Sequence, residues 1–193
     1  MKKILSLILL NSILFLNICQ ANTKPPVKKT VDLTKSTIDW KASKVTGTHT
    51  GTVKIKSGFV DFDGSKLTGG TFIIDMPSLT VTDLSGGGKD KLEGHLKSDD
   101  FFGVANFSES KLVIKSVTGM AMAGEFVVNA DLTIKGITKP VSFKTKATAN
   151  SATATVKIDR TKYDIKYGSG SFFENLGDKA IDNEFELTIS LVY

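Results

Sequence analysis

Residues 75–107 read DMPSLTVTDLSGGGKDKLEGHLKSDDFFGVANF. This stretch separates two long runs of strand-like alternation, and its reading decides what those runs can build. Gly86-Gly87-Gly88 breaks the alternation. Asp90-x-x-Glu93 then has the form of a capping box, in which acidic side chains accept the orphan N–H groups of a helix start. Leu92 and Leu96 follow at i, i+4 and share one face. Gly94 lies between them and weakens a helix, so the pattern predicts one or two turns. Ser98 is placed to cap a second short turn carrying Phe101 and Phe102. Four large apolar side chains are too many for a solvated loop. They cover either the end of an ordinary core or the mouth of a cavity for an apolar ligand.

Working outward, Ser36 to Val45 alternates, with Ile38, Trp40 and Ala42 on one face. Thr46-Gly47-Thr48-His49 reads as a turn, and Gly51 opens a strand carrying Val53 and Ile55. Phe59 and Phe62 fall out of phase, which predicts a β-bulge at Gly58. Asp63-Gly64 is a tight hairpin signal. A third strand runs from Leu67 to Met76 with Phe72, Ile74 and Met76 in phase. Beyond the central stretch, Ser110, Leu112 and Ile114 alternate with lysines. Gly124 begins a long strand with Phe126, Val128, Ala130, Leu132 and Ile134 on one face. Lys135 to Thr138 turns the chain, and Pro140 marks the next strand start. Val141, Phe143, Thr145 and Ala147 continue it. Ala152 to Ile158 and Phe185 to Leu191 form the last two strands.

About eight strands in hairpin order, each with one apolar and one polar face, make an all-β antiparallel protein. Such a sheet has two exposed edges unless it closes, and closure into a barrel removes them. An eight-stranded barrel holds either packed side chains or one small ligand. The inner faces mix Phe72, Phe126 and Phe143 with Ala42, Ala130, Ala147, Ala152 and Ala154, which leaves room inside.

The 193 residues suit one domain with a leader. Residues 1–21 hold Lys2, Lys3 and then an apolar run from Ile4 to Ile18, the order of a cleavable signal peptide, with cleavage expected after Ala21. The run is too short and interrupted for a membrane span. The implied destination is the periplasm of a bacterium or its equivalent. Lipoprotein processing at Cys19 is the alternative, although Ile18 stands where a lipobox has a small residue. Removing the leader leaves 23 basic against 20 acidic residues and no cysteine, so no disulfide supports the fold. Residues 22–30, with Pro25-Pro26 and Lys28-Lys29, read as a flexible tether, and 31–193 as the barrel domain. The lysines are scattered, which argues against nucleic-acid binding, while the mild excess allows transient contact with an anionic membrane surface. No feature specifies an oligomeric state.

Several separated motifs line up with one family. They are Ile38-x-Trp40, Gly47-x-His49-x-Gly51, Asp75-Met76-x-Ser78-Leu79, Gly94-His95-Leu96-x-Ser98-x-Asp100-Phe101-Phe102 and Asp131-Leu132-Thr133-Ile134-x-Gly136-x-Thr138-x-Pro140. Ile158-Asp159-Arg160-Thr161 and Tyr167-Gly168-Ser169-Gly170 complete the set. Together the chain resembles the YceI-like family of bacterial proteins from about Val31 to Tyr193. The resemblance implies an exported, lipocalin-like, eight-stranded antiparallel barrel, to which the reading of residues 75–107 adds a short helical cover after the third strand. It implies a polyisoprenoid or another long-chain amphiphile inside. Ala130 stands where a Gly is usual, and Ser108 and Leu112 where Pro and an aromatic are frequent; these departures bear on pocket length and tail preference. The family defines no shared catalytic set.

The expected lining is Ile38, Trp40, Phe72, Ile74, Met76, Leu92, Leu96, Phe101, Phe102, Leu112, Ile114, Phe126, Val128 and Leu132. His95 and Arg160 are the candidate head-group contacts. Arg160 could instead pin the C-terminal loop by pairing with Asp159, Asp164 or Asp182, and His95 could be a hydrogen-bonded structural residue. His49 and His95 lack metal-ligand spacing, so no metal or cofactor is expected. Ser169-Gly170-Ser171 lacks the glycines of a nucleophile elbow. Phe101-Phe102 and Phe172-Phe173 read as packing across the barrel mouth, with membrane-touching tips as the alternative.

The expected function is non-enzymatic binding, storage or transport of a long-chain isoprenoid lipid of quinone or polyprenyl type. A fatty acid or fatty amide is the alternative ligand. A hydrolase or isomerase using Asp75, Asp131 or His95 would need those side chains in one cleft. A filled barrel would lack a continuous apolar cavity of several hundred Å3.

Overall fold

A computed structural model describes residues 25–193; the expected leader and the Cys19 alternative lie outside the described residues. A short first strand, β1 (Val27–Thr30), precedes the barrel. The alternating stretches form the eight barrel strands: β2 (Thr37–Lys44), β3 (Gly47–Asp63), β4 (Lys66–Val81), β5 (Glu109–Gly119), β6 (Glu125–Ile134), β7 (Ile137–Ala147), β8 (Ser151–Asp159) and β9 (Ile181–Val192). Each pairs antiparallel with its neighbours, in the order β3-β2-β9-β8-β7-β6-β5-β4, and β4 pairs back to β3. The sheet therefore closes. Because side chains alternate across each strand, one apolar set per strand faces the axis. Inside, one cluster holds Trp40, Met76, Phe101, Phe102, Tyr163 and Ile165, and a second holds Val60, Phe62, Leu67, Phe72, Val128 and Leu191.

The first strand is not expected from the sequence. β1 lies in the stretch that reads as tether, and it pairs with Phe59–Phe62 of β3. β3 has 17 residues, and β2 covers only Gly47–Val53 of that edge, so its far half offers unpaired backbone that β1 takes up. Lys29 helps to seat it by donating to the Ala149 carbonyl and lying over the Phe62 ring.

Several local readings shift. The first turn is Val45-Thr46, so His49 sits inside β3, where its Nδ1 meets Asp83 Oδ2 at 2.8 Å. The bulge falls at Lys56, between the pairs Ile55–Ile74 and Ser57–Ile73. Gly58 instead makes room for an aromatic ring, since a Cβ there would come within 2.8 Å of Phe72. The Asp63-Gly64 hairpin forms, with Gly64 at φ +61°. β4 does not end at Met76. It loops out Met76–Leu79 and resumes pairing at Thr80, and Pro77 is tolerated because that segment leaves the ladder. Ser78 Oγ accepts from Lys54 N at 2.8 Å and donates to the Asp75 carbonyl at 2.6 Å, restoring the lost bonds. Pro140 lies inside β7, opposite Asp131, instead of at its start.

The cover is longer than expected. α1 spans Gly86–Lys97, three turns, with the three glycines in its first turn and no side-chain bond from the N-cap Ser85. The capping box at Asp90 does not form. Glu93 turns instead to the sheet, accepting from Thr80 Oγ1 at 2.5 Å and Val81 N at 2.8 Å. These bonds hold its carboxyl below the usual carboxylate range. A tertiary anchor of this kind outweighs the few kcal/mol of helix propensity that four glycines cost.

Candidate ligand-binding lumen

The inner faces do not fill the barrel. A continuous cavity of about 190 Å3 runs along the axis, touching both core clusters. A volume that small with a lining that long makes a narrow slot. It falls below the several hundred Å3 expected of an open lipid pocket and below the roughly 300 Å3 lower bound of usual ligand sites. Its wall is almost wholly apolar. Ile38, Trp40, Phe72, Ile74, Met76, Leu96, Phe101, Phe102, Leu112, Ile114, Val128 and Leu132 all line it. Leu92 and Phe126 do not. Leu92, on α1, is partly buried against the first, upper cluster at the cover end, and Phe126 is buried in the second, lower one, so both serve the core.

Sequence reasoning missed part of the wall. Val53, Ile55, Phe143, Ala154, Val156, Ile158 and the β9 row Phe185, Leu187, Ile189 and Leu191 also line the slot. Their alternation is legible in the sequence, and only their selection as lining is not. Ile165 and Tyr163 carry no signal at all, because residues 160–180 have no periodicity, yet they are among the most deeply buried side chains. Burial pushes the Tyr163 hydroxyl up to about 12.

One end of the slot is charged. Arg160 opens the 3-10 turn Arg160–Tyr163 directly after β8 and is 2% exposed. Its Nε donates to the Asp182 carbonyl at 3.0 Å, Nη1 to Ile165 at 2.8 Å and Nη2 to Ile181 at 3.0 Å. It does pin the C-terminal loop, but through backbone carbonyls, and it forms no salt bridge with Asp159, Asp164 or Asp182. The Asp159 carboxylate instead accepts from Thr161 N and Oγ1, and Asp164 meets Lys166. Burial lowers the guanidinium's pKa, with Asp159 and Asp182 opposing that shift. A guanidinium has five N–H donors, and three are satisfied by these bonds. The Phe101 ring lies 5.6 Å from its Cζ.

His95 is not in the lining. Its ring sits between Tyr167, at 4.4 Å, and Phe101, at 5.5 Å, and its Nε2 is buried without a partner. Burial depresses its pKa, despite the nearby Asp100. Among the described residues the second buried polar side-chain atom without a partner is Trp40 Nε1, in the slot wall.

The three groups of the enzyme reading are not brought together. Asp131 projects outward between Ala130 and Leu132 and faces Lys115 at 3.8 Å. Asp75 lies opposite Glu109, whereas Asp131 lies opposite Val113, four residues further along β5, or about 13 Å. Ser169 donates to Asn183 Oδ1 at 2.6 Å and serves the loop. Among the described residues no cluster of metal-ligating side chains occurs, and no helix is long and apolar enough to cross a membrane. Phe101 and Phe102 are buried at the mouth as expected. Phe172 and Phe173 are each 50% exposed and do not pack across it.

A closed eight-stranded barrel with an apolar slot and a helical cover agrees with the profile of the YceI-like domain, which matches residues 30–193. The chain belongs to the YceI-like family. A UPF0312 protein of Shewanella denitrificans is 34% identical over 87 residues, covering 45% of this chain and 43% of the relative. A UPF0312 protein of Pseudomonas fluorescens is 34% identical over 110 residues, covering 55% and 54%. The chain's matched segments thus span about half the length of these relatives. Among solved structures, Burkholderia cenocepacia BcnA superposes with a TM-score of 0.67 at 20% identity, over 84% of this chain and 99% of that one. A polyisoprenoid binding domain from Saccharophagus degradans gives 0.60 at 18% identity, over 85% and 96%. At these identities the likeness is one of fold.

Proposed function

We propose that this YceI-like barrel binds one long-chain isoprenoid lipid, of quinone or polyprenyl type, and stores or carries it without catalysing a reaction. The apolar slot with a buried cation at one end carries the proposal. The family and the polyisoprenoid binding domain of the same fold support it. The tail lies along the slot toward Val60, Leu67 and Val128, and the polar head lies at Arg160. Burying a methylene is worth about 0.8 kcal/mol, so some twenty are worth more than ~15 kcal/mol relative to water. A membrane offers nearly the same gain, so the lipid exchanges between the two at small net cost. At ~30 Å3 for a group of water's size, twenty methylenes take roughly 600 Å3. The slot must therefore widen as the tail enters, chiefly by movement of side chains such as Met76, Phe72 and Phe143. The signal-peptide pattern of residues 1–21 supports a place of work outside the cytoplasm, and exposed Phe172 and Phe173 give a surface for transient membrane contact.

A fatty acid is the second reading, because a carboxylate also satisfies a buried guanidinium. Native mass spectrometry and lipid extraction of the protein expressed with its leader in a bacterial host test both. The expected result is a co-purifying isoprenoid lipid. A fatty acyl species decides for the second reading, and a protein that takes up neither class refutes the proposal.

A further inference from the structure

The shortest ladder between neighbouring barrel strands is the one between β7 and β8; the next shortest, between β4 and β5, has five positions. β6 and β7 pair over ten positions, and β8 and β9 over nine, but β7 and β8 pair only at Thr145–Ala154, Lys146–Thr153 and Ala147–Ala152. Above Thr145–Ala154 the two strands part. Ile137–Lys144 of β7 and Thr155–Asp159 of β8 have no ladder partner in each other. Five residues of β8 amount to about 17 Å of wall. The fork is held at its base by Thr145, whose Oγ1 donates to the Thr153 carbonyl at 2.9 Å. Its upper end is closed by the 3-10 turn Arg160–Tyr163, which packs on β7 and β9.

Both lips carry the marks of edge strands. Pro140 has no N–H to leave unpaired, and Lys144 and Lys157 project outward, devices that keep an open edge from pairing with another chain. An outer groove also reaches this place. It is lined by Lys144, Thr145, Thr153, Ala154 and Ile189, and of these Thr145, Thr153, Ala154 and Ile189 line the inner slot as well. One layer of small side chains separates lumen from exterior there. Above it, Phe143 and Val141 of one lip and Val156 and Ile158 of the other face inward across the seam.

We infer that the seam between β7 and β8 is the lateral port through which a hydrocarbon tail enters and leaves the lumen. The inference rests on the lipid-binding reading. A tail passing sideways here crosses side chains alone and breaks no ladder hydrogen bond, whereas passage between β6 and β7 or between β8 and β9 breaks several. The slot's narrowness fits the same route, since parting the lips widens the lumen where Phe143 fills it.

Two cysteines placed at Ser142→Cys and Lys157→Cys, both exposed and opposite one another if the ladder were continued, allow the lips to be tied by a short bis-maleimide in a Cys19→Ser background. Lys157→Cys with Glu186→Cys, an already paired position of β8 and β9, is the reference staple. Stopped-flow uptake of cis-parinaric acid, read by energy transfer from Trp40, gives the rate and the final occupancy. The seam staple is expected to slow uptake at least ten-fold with unchanged final occupancy, and the reference staple to leave the rate within two-fold. Phe143→Ala without a staple is expected to speed uptake about three-fold or more. Uptake at the unmodified rate through a stapled seam overturns the port alone. A protein that never takes up the probe, stapled or not, overturns the lipid-binding reading and the port with it.

Discussion

Shortening the slot from its apolar end should change which tails fit, by an amount the geometry sets. Ala152 lines the lumen in the lower cluster, beside the hairpin that joins β7 to β8, where it pairs with Ala147 and Leu191. Ala152→Phe adds six ring carbons. At ~30 Å3 per group, a ring of six carbons takes about the room of six methylenes. The ring therefore displaces close to that many methylenes of a bound tail. At about 0.8 kcal/mol each, the loss approaches ~5 kcal/mol for tails that reach the lower end. Repacking around the ring returns part of this, and at least 100-fold in Kd is expected to remain. Tails six carbons shorter should bind the variant and the parent alike.

Trp40 is the only tryptophan and lines the slot, so its emission reports occupancy without a label. A titration series of saturated fatty acids from C10 to C20, with prenols of increasing length beside it, gives Kd against tail length. The break in that curve should move to shorter tails in Ala152→Phe. Overpacking costs typically 1–3 kcal/mol of stability, and a thermal melt separates that loss from the binding change. Equal affinity for every tail length in parent and variant would refute the tail's placement toward Val60, Leu67 and Val128.

Three further outcomes follow from particular contacts. In the parent protein palmitic acid should bind more tightly than the corresponding alcohol by roughly ten- to hundred-fold, the worth of a hydrogen bond to a charged group; Arg160→Met should erase that ratio in paired titrations, whatever it does to stability. Gly51→Ala should destabilise the barrel by several kcal/mol in a denaturant melt, because a Cβ there collides with the Thr80 carbonyl and the Trp40 indole, and backbone cannot yield as a flexible side chain does. Burial lowers the His95 pKa in the folded protein, so between that value and 6.5 the unfolded chain binds more protons; stability should be full above pH 6.5 and fall as the pH drops below it, and a melt series on His95→Phe should lack that slope.

The strands are legible because each inner face carries a period-2 row, from Ile38-x-Trp40 on β2 to Phe185-x-Leu187 on β9. Closure is one way for a sheet to dispose of its two edges, and the resemblance to the YceI-like family selects it. The misreadings have a common cause. The capping box at Asp90 obeys a local rule, but Glu93 gains more from Thr80 and Val81 across the fold than from a helix N-terminus. β1 reads as a tether because its worth lies in the spare edge of β3, which only the closed sheet reveals. Of the two head-group candidates, Arg160 reaches the slot and His95 does not. Local sequence cannot separate them, since both meet the Phe101 ring and the difference lies in which of them also reaches the lumen, a matter of how the closed barrel places the turn after β8. The fork between β7 and β8 leaves its own trace in the sequence: a proline inside a strand marks a free edge, and within a closed barrel a free edge is an opening.

That opening bears on how such a protein could give up what it holds. A tail buried from water by ~15 kcal/mol leaves slowly if it must first pass through water. It leaves quickly if the barrel delivers it directly into another apolar phase, because the methylenes then exchange one oily surface for another. A port through the barrel wall allows this one methylene at a time, while the head stays on Arg160 until last. It follows that transfer to acceptor vesicles should speed up with vesicle concentration, as collision requires, and the seam staple should remove that dependence. Transfer whose rate is independent of vesicle concentration in the unstapled protein would mean that the lipid dissociates through water, and the wall opening would then have no part in delivery.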